Sequence, residues 1–230
     1  MDKIRVNYDK WHQHKISLNV TKSERETNNK ILASLRPEKG RLLLDIGCGK
    51  GSFCNAAFDA GLEVCGVDFS AVALKEAKIF NKNIGFTLAD AMSLPYGDET
   101  FDYVTCLGSL EHFSSKNHAL LEISRVMKKG GKAYILLPNS YFIGHIYMVY
   151  KTGLPPDEAG QQFSEDFNTK FGWKNILEER YFTVSEINRF NTVWASEKVS
   201  QFTKYVYNFA IKPFIPFNLS YAFGYLCLKK

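Results

Sequence analysis

The order of apolar and polar positions predicts alternating strands and helices through the first 138 residues. Short apolar runs rich in β-branched residues predict strands at about 41–46, 62–68, 84–90, 100–108 and 132–138. Helical spacing of apolar residues predicts helices before the first strand and at about 52–60, 70–80 and 117–128. Strands that alternate with helices form βαβ units and a parallel sheet, so the strands' carboxyl ends share one edge, where ligands bind.

Several local signals set the predicted boundaries. Ser23 and Glu26 have capping-box spacing, which predicts the start of the first helix, and Ser70 predicts an N-cap for the third. Gly130 and Gly131 predict the end of the fourth helix. Beyond residue 138, TVSEINRFN predicts a short helix capped by Thr183 or Ser185. The closing IPFNLSYAFGYLCLKK predicts a terminal hairpin strand on the sheet edge.

Composition narrows the class of protein. A chain of 230 residues that is 45% hydrophobic suits one domain with a full core. Its formal charge of +5 comes from scattered lysines and arginines, so we expect no nucleic-acid partner. The five cysteines have no C-x-x-C spacing and are expected to be buried, reduced thiols. Without a signal-like or membrane-spanning apolar run, we expect a cytoplasmic protein.

The stretch LLLDIGCGKG, residues 42–51, places three glycines directly after a buried strand. Such a turn lets a ligand approach the backbone, and the next helix offers free N–H groups. The spacing is tighter than G-x-G-x-x-G, and Asp45 stands two residues before Gly47. A carboxylate at that point repels a pyrophosphate and favours a ligand that carries an ammonium group.

Two further acids follow the next two strands. Asp68 can accept both hydroxyls of a ribose, and Asp90 or its neighbouring backbone can recognise an exocyclic amine. Phe69 offers an apolar face to a purine. An amino acid, a ribose and an adenine together describe S-adenosylmethionine.

The chain resembles a class I S-adenosylmethionine-dependent methyltransferase of the small-molecule branch. The resemblance rests on LLLDIGCGKG, VCGVDFS, LADAMSLPYGDETFDYVTCLGSLEHF and VMKKGGKAYILLPN, and it covers about residues 24–138. It implies an α/β, Rossmann-like sheet of seven mostly parallel strands, the last antiparallel, with helices on both faces. The single domain 1–230 would comprise an N-terminal lid (1–22), a cofactor-binding core (23–138) and an aromatic-rich insertion with terminal strands (139–230).

The resemblance also implies roles for individual residues. Asp45, Gly47, Cys48 and Gly49 would hold the methionine end of S-adenosylmethionine, whose product is S-adenosylhomocysteine. Asp68 would bind the ribose hydroxyls. Phe69, Asp90 and Ala91 would contact the adenine, and Leu107 would lie beside the methionine moiety.

His112, in SLEHF after the fourth strand, is the candidate catalytic residue. Its ordinary pKa suits a general base that takes a proton from a hydroxyl nucleophile, and the alternative is that it packs beside the cofactor. Glu111 is expected to be solvated or ion-paired. An N-terminal lid would use Tyr8, Trp11, His12 and His14.

Residues 139–225 are expected to shape the acceptor pocket. Their aromatic residues fit a polyketide, quinone, lipid-linked sugar or similar small molecule: Tyr141, Phe142, Tyr147, Tyr150, Phe163, Phe167, Trp173 and Trp194. CLGSL stands where enzymes that methylate base amines carry an Asn/Asp-Pro-Pro-aromatic motif, so oxygen is the preferred target atom, with nitrogen and carbon open. No acidic cluster suggests a metal.

Three alternatives remain at this point. The chain could bind S-adenosylmethionine without catalysis, as a regulatory or partner subunit. It could be a nucleotide-dependent oxidoreductase on a related fold. It could also contact a membrane surface through the aromatic residues near 205–225. The sequence does not determine the oligomeric state.

Overall fold

The structure, a computed structural model, describes residues 20–153, 168–191 and 212–230. Within these ranges lies one seven-stranded sheet with the strand order β3-β2-β1-β4-β5-β7-β6. Its strands are β1 (Leu42–Ile46), β2 (Glu63–Asp68), β3 (Gly85–Leu88), β4 (Phe101–Leu107), β5 (Met127–Pro138), β6 (Phe182–Phe190) and β7 (Ala222–Lys229). Only β7 runs antiparallel to its neighbours, so the expected Rossmann-like sheet is confirmed.

Helices cover both faces of this sheet. They are α1 (Lys22–Leu35), α2 (Ser52–Asp59), α3 (Ala71–Phe80), α4 (Lys116–Val126), α5 (Ile143–Thr152) and α6 (Lys170–Glu178). Buried side chains of α1, α2 and α3 pack into one apolar core, and those of α4 and α6 pack into another. The strands contribute alternate residues to the two cores. Leu43 enters the first and Leu44 the second, as the period of a strand requires.

The prediction for the start of α1 was wrong by two residues. The N-cap is Thr21, whose hydroxyl accepts the Glu24 N–H at 3.2 Å, while the Glu24 carboxylate accepts the Thr21 N–H at 2.8 Å. Thr21–Glu24 and Ser23–Glu26 have the same spacing, so the capping-box rule alone could not choose between them. The N-cap at Ser70 is confirmed, because its hydroxyl accepts the Ala73 N–H.

The end of α4 was also misplaced. The helix stops at Val126, and Met127 already pairs with Phe101 as the first residue of β5. Gly130, at φ +74°, lies in a register irregularity of this strand and does not cap the helix. The glycines therefore permit a bulge. A glycine pattern in a sequence can mark a bulge as well as the end of a helix.

The segment TVSEINRFN is the strand β6, and the helix predicted there was wrong. It pairs with β7 from Phe182 to Phe190, and the Ser185 hydroxyl donates to the Leu226 carbonyl at the register shift. The terminal strand β7 lies between β5 and β6, so the prediction that it lies on the sheet edge was wrong, and β6 is the edge strand on that side. Pairing with a distant strand overrode the local capping signals here.

Candidate active site

The carboxyl ends of the parallel strands meet at one edge of the sheet. Ile46, near the end of β1, lies beside Val67 of β2 and Cys106 of β4, and Asp68 lies beside Leu88 of β3. The loops that carry the predicted site residues all leave from these ends. The topology therefore brings the three sequence motifs together, as expected from a parallel sheet.

The glycine turn folds tightly between β1 and α2. Gly47, Gly49 and Gly51 have φ angles of +68°, +51° and +78°, which residues with side chains rarely adopt. The Gly47 and Cys48 N–H groups both donate to the Val67 carbonyl, at 2.8 and 3.0 Å. A Cβ on Gly47 would lie 2.3 Å from Ser109 Oγ, so the turn sits directly against the loop after β4.

Asp45 is buried beneath this turn, with only 3% of its surface exposed. The Thr105 hydroxyl donates to Oδ1 at 2.7 Å, and the Cys54 thiol donates to Oδ2 at 3.4 Å. Burial raises the pKa of Asp45 to about 7, against the lowering effect of these two hydrogen bonds. Asp45 supports the turn from below, and its role toward the methionine end of the cofactor stays a prediction.

Asp68 ties the glycine turn to the start of α3. Oδ2 accepts the Gly49 N–H at 2.8 Å, and Oδ1 accepts the Ser70 N–H at 2.9 Å. A carboxylate offers about four lone-pair sites, so a group of this kind can accept hydroxyl donors as well as N–H donors. The half-buried Phe69 ring follows directly in the same loop.

The third strand ends at Leu88, two residues before the predicted end, so Asp90 lies in the following turn. Its Oδ1 accepts the Met92 N–H at 2.9 Å, and its carbonyl accepts the Ser93 N–H at 3.0 Å. Both Asp90 and Ala91 are half-buried. The turn is thereby held in a fixed shape at the same edge of the sheet.

The loop after β4 completes the cofactor side of this edge. Leu107 is half-buried as the last residue of β4, and the Ser109 hydroxyl donates to the Gly47 carbonyl at 3.4 Å. His112 lies in the short 3₁₀ helix Leu110–His112, and its N–H donates to the Ser109 carbonyl at 3.0 Å. His112 therefore lies one helical turn after Ser109, the residue that contacts the glycine turn. Glu111 is 5% exposed, so of its two expected states the solvated one was wrong, and the ion-paired one stays a prediction.

Sequence reasoning missed three residues that shape this side. Thr105 and Cys54 hold the buried Asp45, and Ser109 presses against Gly47. Thr105 stands opposite Asp45 in the β1–β4 register. That pairing was the available signal, because parallel β1 and β4 were foreseeable from the strand ends. The pKa of the Cys54 thiol is raised by burial, which fits an unreactive, reduced cysteine.

Beyond the end of β5, the predicted pocket residue Phe142 meets two residues that sequence reasoning missed, His145 and Tyr221. The Phe142 ring packs edge-on against His145 and Tyr221, with centroids 5.2 Å apart in each pair, and His145 and Tyr221 are 6.3 Å apart. Burial lowers the pKa of His145 below its ordinary value. Leu107, Leu136 and Tyr221 pack against the same apolar core, so this aromatic cluster shares its sheet face with the end of β4.

Asn139 fixes the backbone around this aromatic cluster. It is 1% exposed, and its amide Nδ2 donates to the carbonyls of Asn218 and Ser220 at 2.9 and 2.8 Å. Its Oδ1 accepts the Tyr141 N–H at 3.2 Å, while its own N–H donates to the Tyr221 carbonyl at 3.0 Å. One buried side chain thus joins the end of β5, the start of α5 and the approach to β7.

The aromatic residues expected in the acceptor pocket divide into different environments. Trp173 belongs to the core, and its Nε1–H donates to the Pro138 carbonyl at 2.8 Å. Phe142 is buried, whereas Tyr141, Tyr147 and Tyr150 are exposed. The remaining members, and the proposed lid residues, lie outside the described residues: Phe163, Phe167, Trp194, Tyr8, Trp11, His12 and His14.

The charged side chains at this edge of the sheet suit a nucleoside ligand better than a phosphate. Asp68 and Asp90 present carboxylates, and Lys50, the basic residue of the glycine turn, lies 3.7 Å from the Glu24 carboxylate. Within the described ranges, histidine, cysteine and carboxylate side chains form no group of three or more suited to a metal ion. In the same part of the chain, every helix falls short of the length and apolarity that crossing a bilayer requires.

Comparison with known proteins agrees with this geometry. A family model described as a methyltransferase domain matches residues 44–135. Demethylmenaquinone methyltransferase of Thermotoga maritima is 30% identical over 194 residues, which span 81% of this chain and 78% of that protein. The enzyme of the same name from Renibacterium salmoninarum is 38% identical over 96 residues. This match spans 42% of the chain and only 40% of the relative.

A solved structure shares the fold of the described residues. It is the methyltransferase partner in a complex with the Haloferax volcanii Trm112 methyltransferase activator. Its TM-score is 0.72 at 17% identity, over 98% of this chain and 96% of that one. The matched domain and the Thermotoga relative show that this chain belongs to the class I S-adenosylmethionine-dependent methyltransferases.

Proposed function

We propose that this protein transfers a methyl group from S-adenosylmethionine to a small, partly apolar acceptor, with oxygen as the target atom. The observation that carries the proposal is the link between Asp68 and the glycine turn. One carboxylate accepts the Gly49 and Ser70 N–H groups at the edge where parallel strands end. A site of this kind recognises ribose hydroxyls beside a tightly approached backbone.

The roles of the cofactor-side residues are part of this proposal. Asp68 binds the ribose, Phe69 packs on the adenine, and the fixed turn at Asp90 and Ala91 recognises the adenine edge. The methionine end is held by the turn and the end of β4: Asp45, Gly47, Cys48, Gly49 and Leu107. The close contact between Gly47 and Ser109 supports this assignment, because it holds the two loops in register.

When bound, S-adenosylmethionine supplies an electrophilic methyl group on a sulfonium that is an excellent leaving group. The protein's task is then to align the acceptor and exclude water, and no strong acid is needed beside the sulfur. We assign residues 23–138 to cofactor binding, 139–230 to the acceptor side and 1–22 to a lid. Deprotonation of an acceptor hydroxyl is the step in which a histidine can act as general base.

Two histidines are candidates for that proton acceptor. His112 follows β4, one turn from Ser109 and the glycine turn. His145 lies in the aromatic cluster with Phe142 and Tyr221, and its lowered pKa keeps the imidazole neutral at physiological pH. His112 is the first choice because its loop is the one that contacts the turn. His112→Gln should lower kcat about 100-fold while leaving S-adenosylhomocysteine affinity unchanged. If kcat and S-adenosylhomocysteine affinity fell by the same factor, His112 would be a packing residue and not a general base.

The acceptor class is a proposal supported by the relatives and by the aromatic cluster. Relatives named demethylmenaquinone methyltransferase support a quinone-type ring, which also suits an apolar, aromatic pocket. In its reduced form such a ring carries hydroxyls, and a ring oxygen or an adjacent ring carbon can act as the nucleophile. Carbon methylation of such a ring is therefore the second candidate function. The methyltransferase names also favour catalysis over mere cofactor binding.

Incubation with methyl-labelled cofactor and a reduced demethylnaphthoquinone tests this proposal. Mass spectrometry detects the added methyl group, and the carbon chemical shift of the labelled methyl separates an ether from a ring methyl. We expect labelled product with the wild type and none with Gly47→Ala. Tight S-adenosylhomocysteine binding without any labelled product across hydroxylated aromatic acceptors would favour a non-catalytic binding protein. Tight NAD binding would favour an oxidoreductase.

A further inference from the structure

The outward face of α5 is an exposed apolar stripe. Ile143, Ile146, Tyr147 and Tyr150 follow the i, i+3, i+4, i+7 spacing of one helix face, and their exposure is 40%, 45%, 62% and 87%. A surface helix normally turns its apolar stripe toward the core. This helix instead turns His145 inward, beside its buried N-cap residue Phe142, and apolar residues occupy its outer face as well.

A second exposed apolar group adjoins the start of this helix. Phe171, Phe214 and Phe217 are 61%, 79% and 41% exposed. The Lys170 ammonium lies over the Phe171 ring at 4.5 Å and over the Phe217 ring at 4.9 Å, and Phe217 stacks on the buried Phe223. The Phe171 and Phe217 rings are thus in contact with neighbours and still stay partly exposed.

Hydrogen bonds join the two groups into one surface. The Ser140 N–H donates to the Asn168 carbonyl at 3.1 Å, and the Lys170 ammonium donates to Asn218 Oδ1 at 2.8 Å. Asn139 links the backbone before α5 to Asn218. We call the outer stripe of α5, Tyr141 and the three exposed phenylalanines the aromatic surface. It lies beyond the end of β5 and before the start of β7, on the proposed acceptor side.

The charge of this surface has one sign. Residues 139–153, 168–174 and 213–219 contain Lys151, Lys170 and Lys174 and no aspartate or glutamate. Lys174 reaches Glu178 one helical turn further along α6, at 3.4 Å. Exposed aromatic and aliphatic side chains among lysines complement an anionic lipid surface, where rings enter the headgroup region and ammonium groups meet phosphates.

We propose that the aromatic surface docks this protein on anionic membranes. An apolar acceptor dissolved in the bilayer then reaches the site along α5, whose inner face carries Phe142 and His145 against Tyr221. This second half rests on the proposed function, whereas the docking does not. The surface overlaps the alternative of a membrane anchor near 205–225 at Phe214 and Phe217, and it extends that alternative to Phe171 and α5.

Vesicle flotation tests the docking directly. Wild-type protein should float with phosphatidylcholine vesicles that contain phosphatidylglycerol and stay below vesicles of phosphatidylcholine alone. The double variant Tyr147→Ser/Tyr150→Ser should bind the anionic vesicles about tenfold more weakly. Lys151→Gln should weaken binding less and reduce its salt dependence. The matched control is Ile79→Ser, because Ile79 is 65% exposed on α3, beside the opposite end of the sheet.

Three outcomes would overturn the proposal. The first is that the wild-type protein does not float with anionic vesicles, or that it binds neutral vesicles equally well. Another is an Ile79→Ser variant that loses as much binding as the double variant. The third is a dimer in sedimentation that the double variant converts to monomer, which would make the surface an interface between two copies. S-adenosylhomocysteine calorimetry, unchanged in the double variant, shows that the variant is folded and still binds the cofactor. Methyl transfer by the wild type to a detergent-dispersed acceptor is measured separately, so a failure of docking stays distinct from a failure of the enzyme.

Discussion

The two halves of the sheet edge are built differently. Around β1, β2 and β4, buried polar groups are bound to one another and to backbone, as Asp45 is to Thr105 and Asp68 to Gly49. Beyond the end of β5 and before β7, aromatic and aliphatic side chains are exposed among lysines. The backbone segments that carry them are joined by hydrogen bonds of Asn139. A rigid polar half suits one invariant ligand, and an open apolar half suits a variable or membrane-dissolved acceptor.

The largest effect that tests this difference is expected from Gly47→Ala. The new Cβ would meet Ser109 Oγ at 2.3 Å in a left-handed backbone, so we expect a loss of about 3–5 kcal/mol in unfolding free energy. Urea denaturation measures it. Gly40→Ala is the control, because Gly40 has φ +73° with nothing within 4 Å, and it should cost only about 1–2 kcal/mol. Equal losses would mean that the two loops are not in close contact.

The next effect concerns the pH dependence of stability through Asp45. Its pKa of about 7 in the native state exceeds the value of 3.8 for an unperturbed carboxyl, so the native state binds the extra proton between these values. Stability should therefore fall as pH rises from about 4 to 7 and stay level above. Asp45→Asn mimics the protonated form and should be more stable than wild type at pH 8 by on the order of 2–4 kcal/mol, with little difference at pH 4.

Thermal and urea unfolding across this pH range check the prediction. The readout is the slope of stability against pH in the ligand-free protein, which the Asn variant should lose. A wild-type stability that rises steadily between pH 4 and 7, with the same slope in Asp45→Asn, would contradict a buried carboxylate without a compensating charge.

A smaller effect should separate the two halves. Asn139→Ala leaves the Asn218 and Ser220 carbonyls without their donor, and we expect a loss of about 2–3 kcal/mol in unfolding free energy. S-adenosylhomocysteine affinity, measured by calorimetry below the unfolding transition, should stay within about twofold of wild type. A parallel loss of cofactor affinity would show that the halves are not energetically separate.

The sequence predicted the polar half well because its signals are local. The glycine turn, Asp68 and the Ser70 cap each lie within a few residues of a strand end, so their position at the sheet edge follows from short motifs. The beginning of α1 was ambiguous only because Thr21 and Ser23 offer equal capping boxes. Thr105 and Ser109 were missed, since their roles depend on contacts across 60 residues or more with Asp45 and Gly47.

The apolar half was not predicted, because its contacts also join residues that are far apart in the sequence. β6 exists because it pairs with β7, whose partners lie about 40 residues away, as Ser185 and Leu226 do. Its own residues, half-buried on an edge strand, alternate too weakly to outweigh capping signals. The cluster of Phe142, His145 and Tyr221 likewise forms between α5 and the residue before β7, which no local pattern announces.

The central claim is that Asp68 binds the cofactor's ribose, and calorimetry with S-adenosylhomocysteine tests it most directly. We predict that Asp68→Ala weakens binding by about 1–3 kcal/mol, roughly 5- to 150-fold, because the ribose hydroxyls lose a charged acceptor. Asp59→Ala, on the exposed end of α2, should bind like wild type. An Asp68→Ala variant that stays folded and keeps the wild-type dissociation constant would contradict the claim.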